Sequence, residues 1–116
     1  MPFDWNRYAT LADEWKESQR QELLRCSISR AYYAFYNSIR IKKGIPTKKQ
    51  PHKIVIEKLS ENNDPEEIEL AKLLKDLQEI REIADYDGVQ EIDGRYTERF
   101  FTRLTAAREL CLEILP

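Results

Sequence analysis

Histidine occurs once in this chain of 116 residues, cysteine twice, glycine three times and proline five times, and each scarcity removes a class of protein. Cys26 and Cys111 fall in separate helical patterns, without a CxxC pair or a histidine cluster, which argues against a zinc site or a disulfide framework. Both read as buried small hydrophobes. The few glycines and prolines lie between long runs of helix formers, so little irregular chain is expected and the fold class is all-α. No window approaches the roughly 18 apolar residues that a membrane span needs. The opening Met1-Pro2-Phe3-Asp4-Trp5 has no basic stretch followed by an apolar run. A soluble, cytoplasmic protein is the expectation, and the residues suggest no metal ion or organic cofactor.

With 41% hydrophobic and 34% charged residues, the composition suits one globular domain over residues 1–116, with a single core. The net charge of −2 conceals a segregation along the chain. From Arg40 to Lys53 there are six basic side chains plus His52 and no acid, after which Glu57, Glu61, Asp64, Glu66, Glu67 and Glu69 face a lone Lys58. This asymmetry predicts a local basic patch on an acidic protein.

Apolar residues at helical spacing define five helices. The first is expected from about Asp4 to Ser18, with Asp4 as its cap and Trp5, Tyr8, Leu11, Ala12 and Trp15 as its stripe. The second runs from about Gln21 to Lys43 with Leu24, Ile28, Tyr32, Phe35 and Ile39 inward, and stops before Gly44-Ile45-Pro46. A short third helix spans about His52 to Ser60, burying Val55, Ile56 and Leu59. Asp64-Pro65-Glu66-Glu67 is the clearest start signal, combining an N-cap, a first-turn proline and glutamates at the positive helix end. That fourth helix continues to about Tyr86, and a fifth runs from about Asp93 to Leu115 through Tyr96, Phe100, Leu104, Ala107, Cys111 and Ile114. The expected architecture is an antiparallel four-helix bundle with the short third helix as an accessory.

Two features do not suit a plain bundle. Arg81 falls within the stripe of Leu70, Leu74, Leu77 and Ala84, so a permanent charge points where a hydrophobe belongs. Asp85, one turn later, is its nearest partner; the pair is either a helix-surface ion pair or a charged group lining an interface or cleft. On the second helix, Cys26, Arg30, Tyr33 and Asn37 share a face nearly opposite Ile28, Phe35 and Ile39. That face suits another helix, a second subunit or a ligand, or else an amphipathic helix in which Tyr33 and Asn37 make local hydrogen bonds.

The run Ser27-Ile28-Ser29-Arg30-Ala31-Tyr32-Tyr33-Ala34-Phe35-Tyr36-Asn37 resembles the S-R-x-Y-Y-A-x-(F/Y) signature of small prokaryotic HEPN proteins, and Arg81-Glu82-Ile83-Ala84-Asp85-Tyr86-Asp87 resembles their R-x-x-A-D-Y segment. The resemblance covers most of the chain. It implies a helical bundle that dimerises through its fourth helix, placing Arg81 opposite its symmetry mate. It also implies a minimal nucleotidyltransferase as partner, in toxin–antitoxin or stress-response pairs. Catalytic relatives are metal-independent ribonucleases with an R-x(4–6)-H motif, in which arginine holds phosphate and histidine moves the proton for attack by the ribose 2′-hydroxyl.

With four to six residues intervening after Arg81, the positions reached are Tyr86, Asp87 and Gly88, and the fourth helix has no histidine. Asn37 stands where some relatives carry histidine. His52, after Pro51, is expected to be exposed or to cap the third helix; a catalytic role requires it to reach Arg81. Three readings remain open. The leading one is a dimeric module that binds RNA, a nucleotide or a partner protein, through Arg81 together with Arg30, Tyr33, Asn37 and the lysines Lys48, Lys49 and Lys53. The second is a ribonuclease with an altered site of Arg81, Asp85 and Tyr86, with Arg30 as a phosphate contact from the second helix. The third is a purely structural dimerisation module.

Overall fold

In the computed structural model, which describes residues 3–46, 51–61 and 63–115, the chain forms α1 (Asn6–Trp15), α2 (Gln21–Lys42), α3 (Pro51–Ser60), α4 (Pro65–Tyr86) and α5 (Gly94–Ile114). The protein is all-helical, as its composition predicts. The starts of α1, α4 and α5 fall where a short acidic side chain can satisfy free N–H groups. The Asp64 carboxylate accepts the Glu66 N–H at 2.9 Å with Pro65 in the first turn, and Asp93 accepts the Tyr96 N–H at 2.9 Å. Asp4 accepts the Asn6 N–H at 3.0 Å. Helix α2 stops at Gly44, whose φ of +68° is the left-handed conformation that glycine adopts without strain. The Gly44 and Ile45 N–H groups then donate back to Ile41 and Arg40, closing the helix, while Ile45 packs into the core.

Helix α1 ends at Trp15, three residues earlier than the apolar pattern suggests. The Ser18 N–H bonds back to Trp15, and the Ser18 hydroxyl accepts the Arg20 N–H at 3.1 Å, so the chain turns there toward α2. Cys111 is buried as expected, but Cys26 is only half-buried, because its face of α2 is not fully covered.

Helices α2 and α4, each 22 residues and about 33 Å long, form the central pair. Contacts along them fix an antiparallel register. Arg25 near the start of α2 reaches the end of α4, Ser29 meets Asp85, and Lys43 just past α2 meets Glu67 in the first turn of α4. Helices α1 and α5 pack on α2, α5 also packs on α4, and α3 lies chiefly against α4. Ile28, Tyr32, Ile39, Val55, Leu59, Leu70, Leu74, Leu77, Ile92 and Phe100 are fully buried in one continuous cluster fed by all five helices. Among the described residues, no helix is long and apolar enough to cross a membrane.

Candidate functional site

The register of α2 against α4 places Arg81 in the interior beside the tyrosines of α2. Its side chain is 5% exposed, and Nη1 donates to the Asp85 carboxylate at 3.2 Å, one turn along α4. The Ser29 hydroxyl donates to the same Asp85 oxygen at 3.3 Å, and Glu82 lies 3.6 Å from Nη2. The guanidinium also rests 5.2 Å from the Tyr32 ring centre and 5.3 Å from that of Tyr33, within range of cation–π attraction. Burial opposes the charge, but Tyr33 and the Asp85 carboxylate outweigh it and the Arg81 pKa is raised on balance. Arg81 Nε is nevertheless buried without a hydrogen-bond partner among the described residues, as is the Tyr36 hydroxyl. The Arg81–Asp85 pair inferred from helical spacing thus joins a buried guanidinium to a carboxylate that reaches the surface at the edge of the bundle.

His52 overturns its expected exposure. At the start of α3 its ring is half-buried against three tyrosines of α2, 4.3 Å from Tyr36, 5.5 Å from Tyr32 and 5.9 Å from Tyr33 between ring centres. Its Nδ1 shares a 2.7 Å hydrogen bond with the Tyr32 hydroxyl. Burial, and then the nearby Arg81 cation, lower its pKa, with Glu82 acting weakly in the opposite direction. The two residues separated by nearly thirty positions in sequence are thus neighbours of the same two tyrosines. Burial also raises the Tyr32 and Tyr36 phenols, keeping both protonated.

Most other residues singled out from the sequence lie elsewhere. Tyr33 belongs to the cluster through its ring. Arg30 turns to α1, its guanidinium 5.0 Å from the Tyr8 ring centre. Asn37 is buried and committed to its own helix, donating to the Tyr33 carbonyl at 2.8 Å and accepting from Arg40 at 3.0 Å. It is not a free ligand-binding amide. Tyr86 is 78% exposed and points away from Arg81, sharing a shallow surface depression with Ile83 and Val89, rimmed by Glu79 and Glu82. Five helical positions turn it about 140° from Arg81. Lys53 is exposed near Glu57, and Lys48 and Lys49 lie outside the described residues.

The basic segment is also less available than its composition suggests. Arg40 donates to the Ile45 carbonyl at 2.9 Å, and Lys43 is paired with Glu67 at 2.7 Å with both side chains largely buried. Sequence reading also misses Arg25, whose guanidinium gathers the carbonyls of Ala84, Asp87 and Gln90 at the end of α4. Gln21 beside it brackets Ile92, accepting its N–H at 3.1 Å and donating to its carbonyl at 2.5 Å. An arginine and a glutamine on the polar side of α2, each a multiple of four from Ser29, were the available signal.

Chemically, the cluster offers a fixed cation with one unpartnered donor, a carboxylate that orients it, and an imidazole kept neutral near pH 7. Such a set can attract an anionic group and accept a proton. Among the described residues, no three His, Cys, Asp or Glu side chains converge as a metal ion would require. Compared with known proteins, the chain matches no family model, no curated protein and no solved structure.

Proposed function

We propose that this chain is a HEPN-like module that dimerises through α4 and binds RNA, in the manner of the toxin–antitoxin or stress-response proteins that its two sequence motifs resemble. The observation that carries the reading is the buried Arg81, oriented by Asp85 and flanked by Tyr32 and Tyr33, with Nε left without a partner. An arginine taken out of water and incompletely bonded is costly to fold, and it suits a protein that gains by presenting it to an anion such as a phosphate. The exposed apolar side chains of Ile83 and Tyr86 on the outer side of α4, with Val89 in the turn that follows, support association with a second copy. A minimal nucleotidyltransferase remains the partner that the resemblance implies.

His52 favours one second reading, a metal-independent ribonuclease. On this reading His52, which bonds the Tyr32 hydroxyl while the Tyr32 ring lies against Arg81, would stand in from α3 for the histidine that α4 lacks. In that chemistry His52 takes the proton of a ribose 2′-hydroxyl as its oxygen bonds to phosphorus, and the 5′-oxygen departs with a proton from solvent, leaving a cyclic phosphate.

The experiment is incubation of the purified protein with total RNA in EDTA, beside Arg81→Ala and His52→Ala variants shown to be helical by circular dichroism, with binding and cleavage both followed. Binding without cleavage that is lost in Arg81→Ala supports the module. Cleavage lost in both variants supports the nuclease. Absence of both binding and cleavage, in a protein that sediments as a monomer, rejects both.

A further inference from the structure

Helix α5 carries Arg95, Arg99 and Arg103 at i, i+4 and i+8, a row along one side of the helix spanning about 12 Å. All three are exposed, and with Thr102 and a single acid, Glu98, they line one shallow groove. Among the described residues, none of the three forms an ion pair with a carboxylate. Helix energetics do not explain them. The first turn of α5 contains no acidic residue and does contain Arg95, so a permanent cation stands at the positive end of the macrodipole, where it is disfavoured. Arg99 and Arg103 extend the same charge into the next two turns. The Asp93 cap meets the positive end of α5, but it forms no ion pair with the row, and a line of cations unpaired among the described residues suits an anionic partner.

The chemistry distinguishes among anions. The groove offers no large apolar side chain to anchor a protein interface. Guanidinium groups bind phosphate in pairs of hydrogen bonds, and the Thr102 hydroxyl adds a donor beside them. Set about 6 Å apart by the helix rise, the three guanidiniums can meet consecutive phosphates of a strand one for one. We propose that the Arg95–Arg99–Arg103 face of α5 is a strand-tracking surface for the phosphodiester backbone of single-stranded RNA. It rests on the RNA-binding reading above and adds to it a second, sequence-independent contact on a different helix from Arg81.

The test is fluorescence anisotropy with a short labelled single-stranded RNA across a sodium chloride series. It compares the intact protein with the pairs Arg99→Gln/Arg103→Gln and Arg99→Lys/Arg103→Lys, and with Arg81→Ala. The glutamine pair is expected to bind at least about tenfold more weakly, with the slope of log affinity against log salt shallower by about 1.4, the loss of two phosphate contacts. The lysine pair keeps that slope. Unchanged affinity and slope in the glutamine pair overturn the α5 surface, and if Arg81→Ala then loses binding the RNA reading itself stands. Loss in the glutamine pair with none in Arg81→Ala keeps the α5 surface and removes Arg81 from the interface. No RNA binding by the intact protein rejects both. Displacement of RNA by polyglutamate at equal charge concentration assigns the row to an acidic protein and overturns the choice of RNA.

Discussion

The Tyr32 hydroxyl and His52 Nδ1 are 2.7 Å apart, and this bond joins the middle of α2 to the first turn of α3 while the same tyrosine ring lies 5.2 Å from the Arg81 guanidinium. Tyr32→Phe keeps the ring and removes the bond. A single buried hydrogen bond contributes about 1 kcal/mol, so the variant is expected to melt about 4 °C lower, measured by circular dichroism. An unchanged melting temperature would mean that water replaces the tyrosine at His52.

His52 also makes stability depend on pH in a definite direction. Its pKa in the fold lies below the ordinary 6.5, so the unfolded chain binds its proton first as pH falls. The stability that neutral His52 contributes is complete above about pH 6.5 and declines below it. The groups facing it are Tyr32, Tyr33 and Tyr36 from α2 and Arg81 and Glu82 from α4. Urea unfolding at pH 7.0 and 5.0, in intact protein and in His52→Gln, should show a larger acid loss in the intact chain, and equal losses would place the sensitivity in the carboxylates.

Arg25 bonds four backbone carbonyls, those of Ile83, Ala84, Asp87 and Gln90, at the end of α4 and in the turn that follows. Arg25→Ala is expected to lower unfolding free energy by about 2 kcal/mol, since charged donors to helix-terminal carbonyls are worth more than neutral ones. Arg25→Lys should recover less than half, because an ammonium cannot span that spread of acceptors. Urea midpoints decide both.

Lys43 and Glu67 form the most buried ion pair apart from that of Arg81. Removing only one charge, in Lys43→Met or Glu67→Leu, strands the other and should cost about 2 kcal/mol, whereas the double variant should cost less than either. A double-mutant cycle in urea measures that coupling.

The helices were legible because their signals are local. Asp64-Pro65 and Asp93 cap within a few residues, Gly44 can be left-handed where its neighbours cannot, and the α4 stripe is a count along one helix. The same counting put Arg81 inside and paired it with Asp85. What could not be read was the rotation and offset of one helix against another. His52 reaches Tyr32 through the placement of α3, Arg25 reaches Gln90 across 65 positions, and Arg30 finds Tyr8 on α1. Periodicity says which side of a helix is buried without saying what it meets. Tyr86 shows the limit from the other side, since its place in the R-x-x-A-D-Y segment suggested the Arg81 site while its angle on α4 directs it outward.

The rungs that register α2 against α4 differ in how much chain they close, and this orders them in time. Lys43 and Glu67 are 24 positions apart, Ser29 and Asp85 are 56, and Arg25 and Gln90 are 65. Bringing the ends together costs more entropy for the longer segments, by somewhat under 1 kcal/mol from the first rung to the last. The helix pair should close from the Lys43 end like a hairpin growing away from α3, with the Arg25 grip formed last. Weakening that grip would then shorten the lifetime of the folded state while leaving its rate of formation nearly untouched.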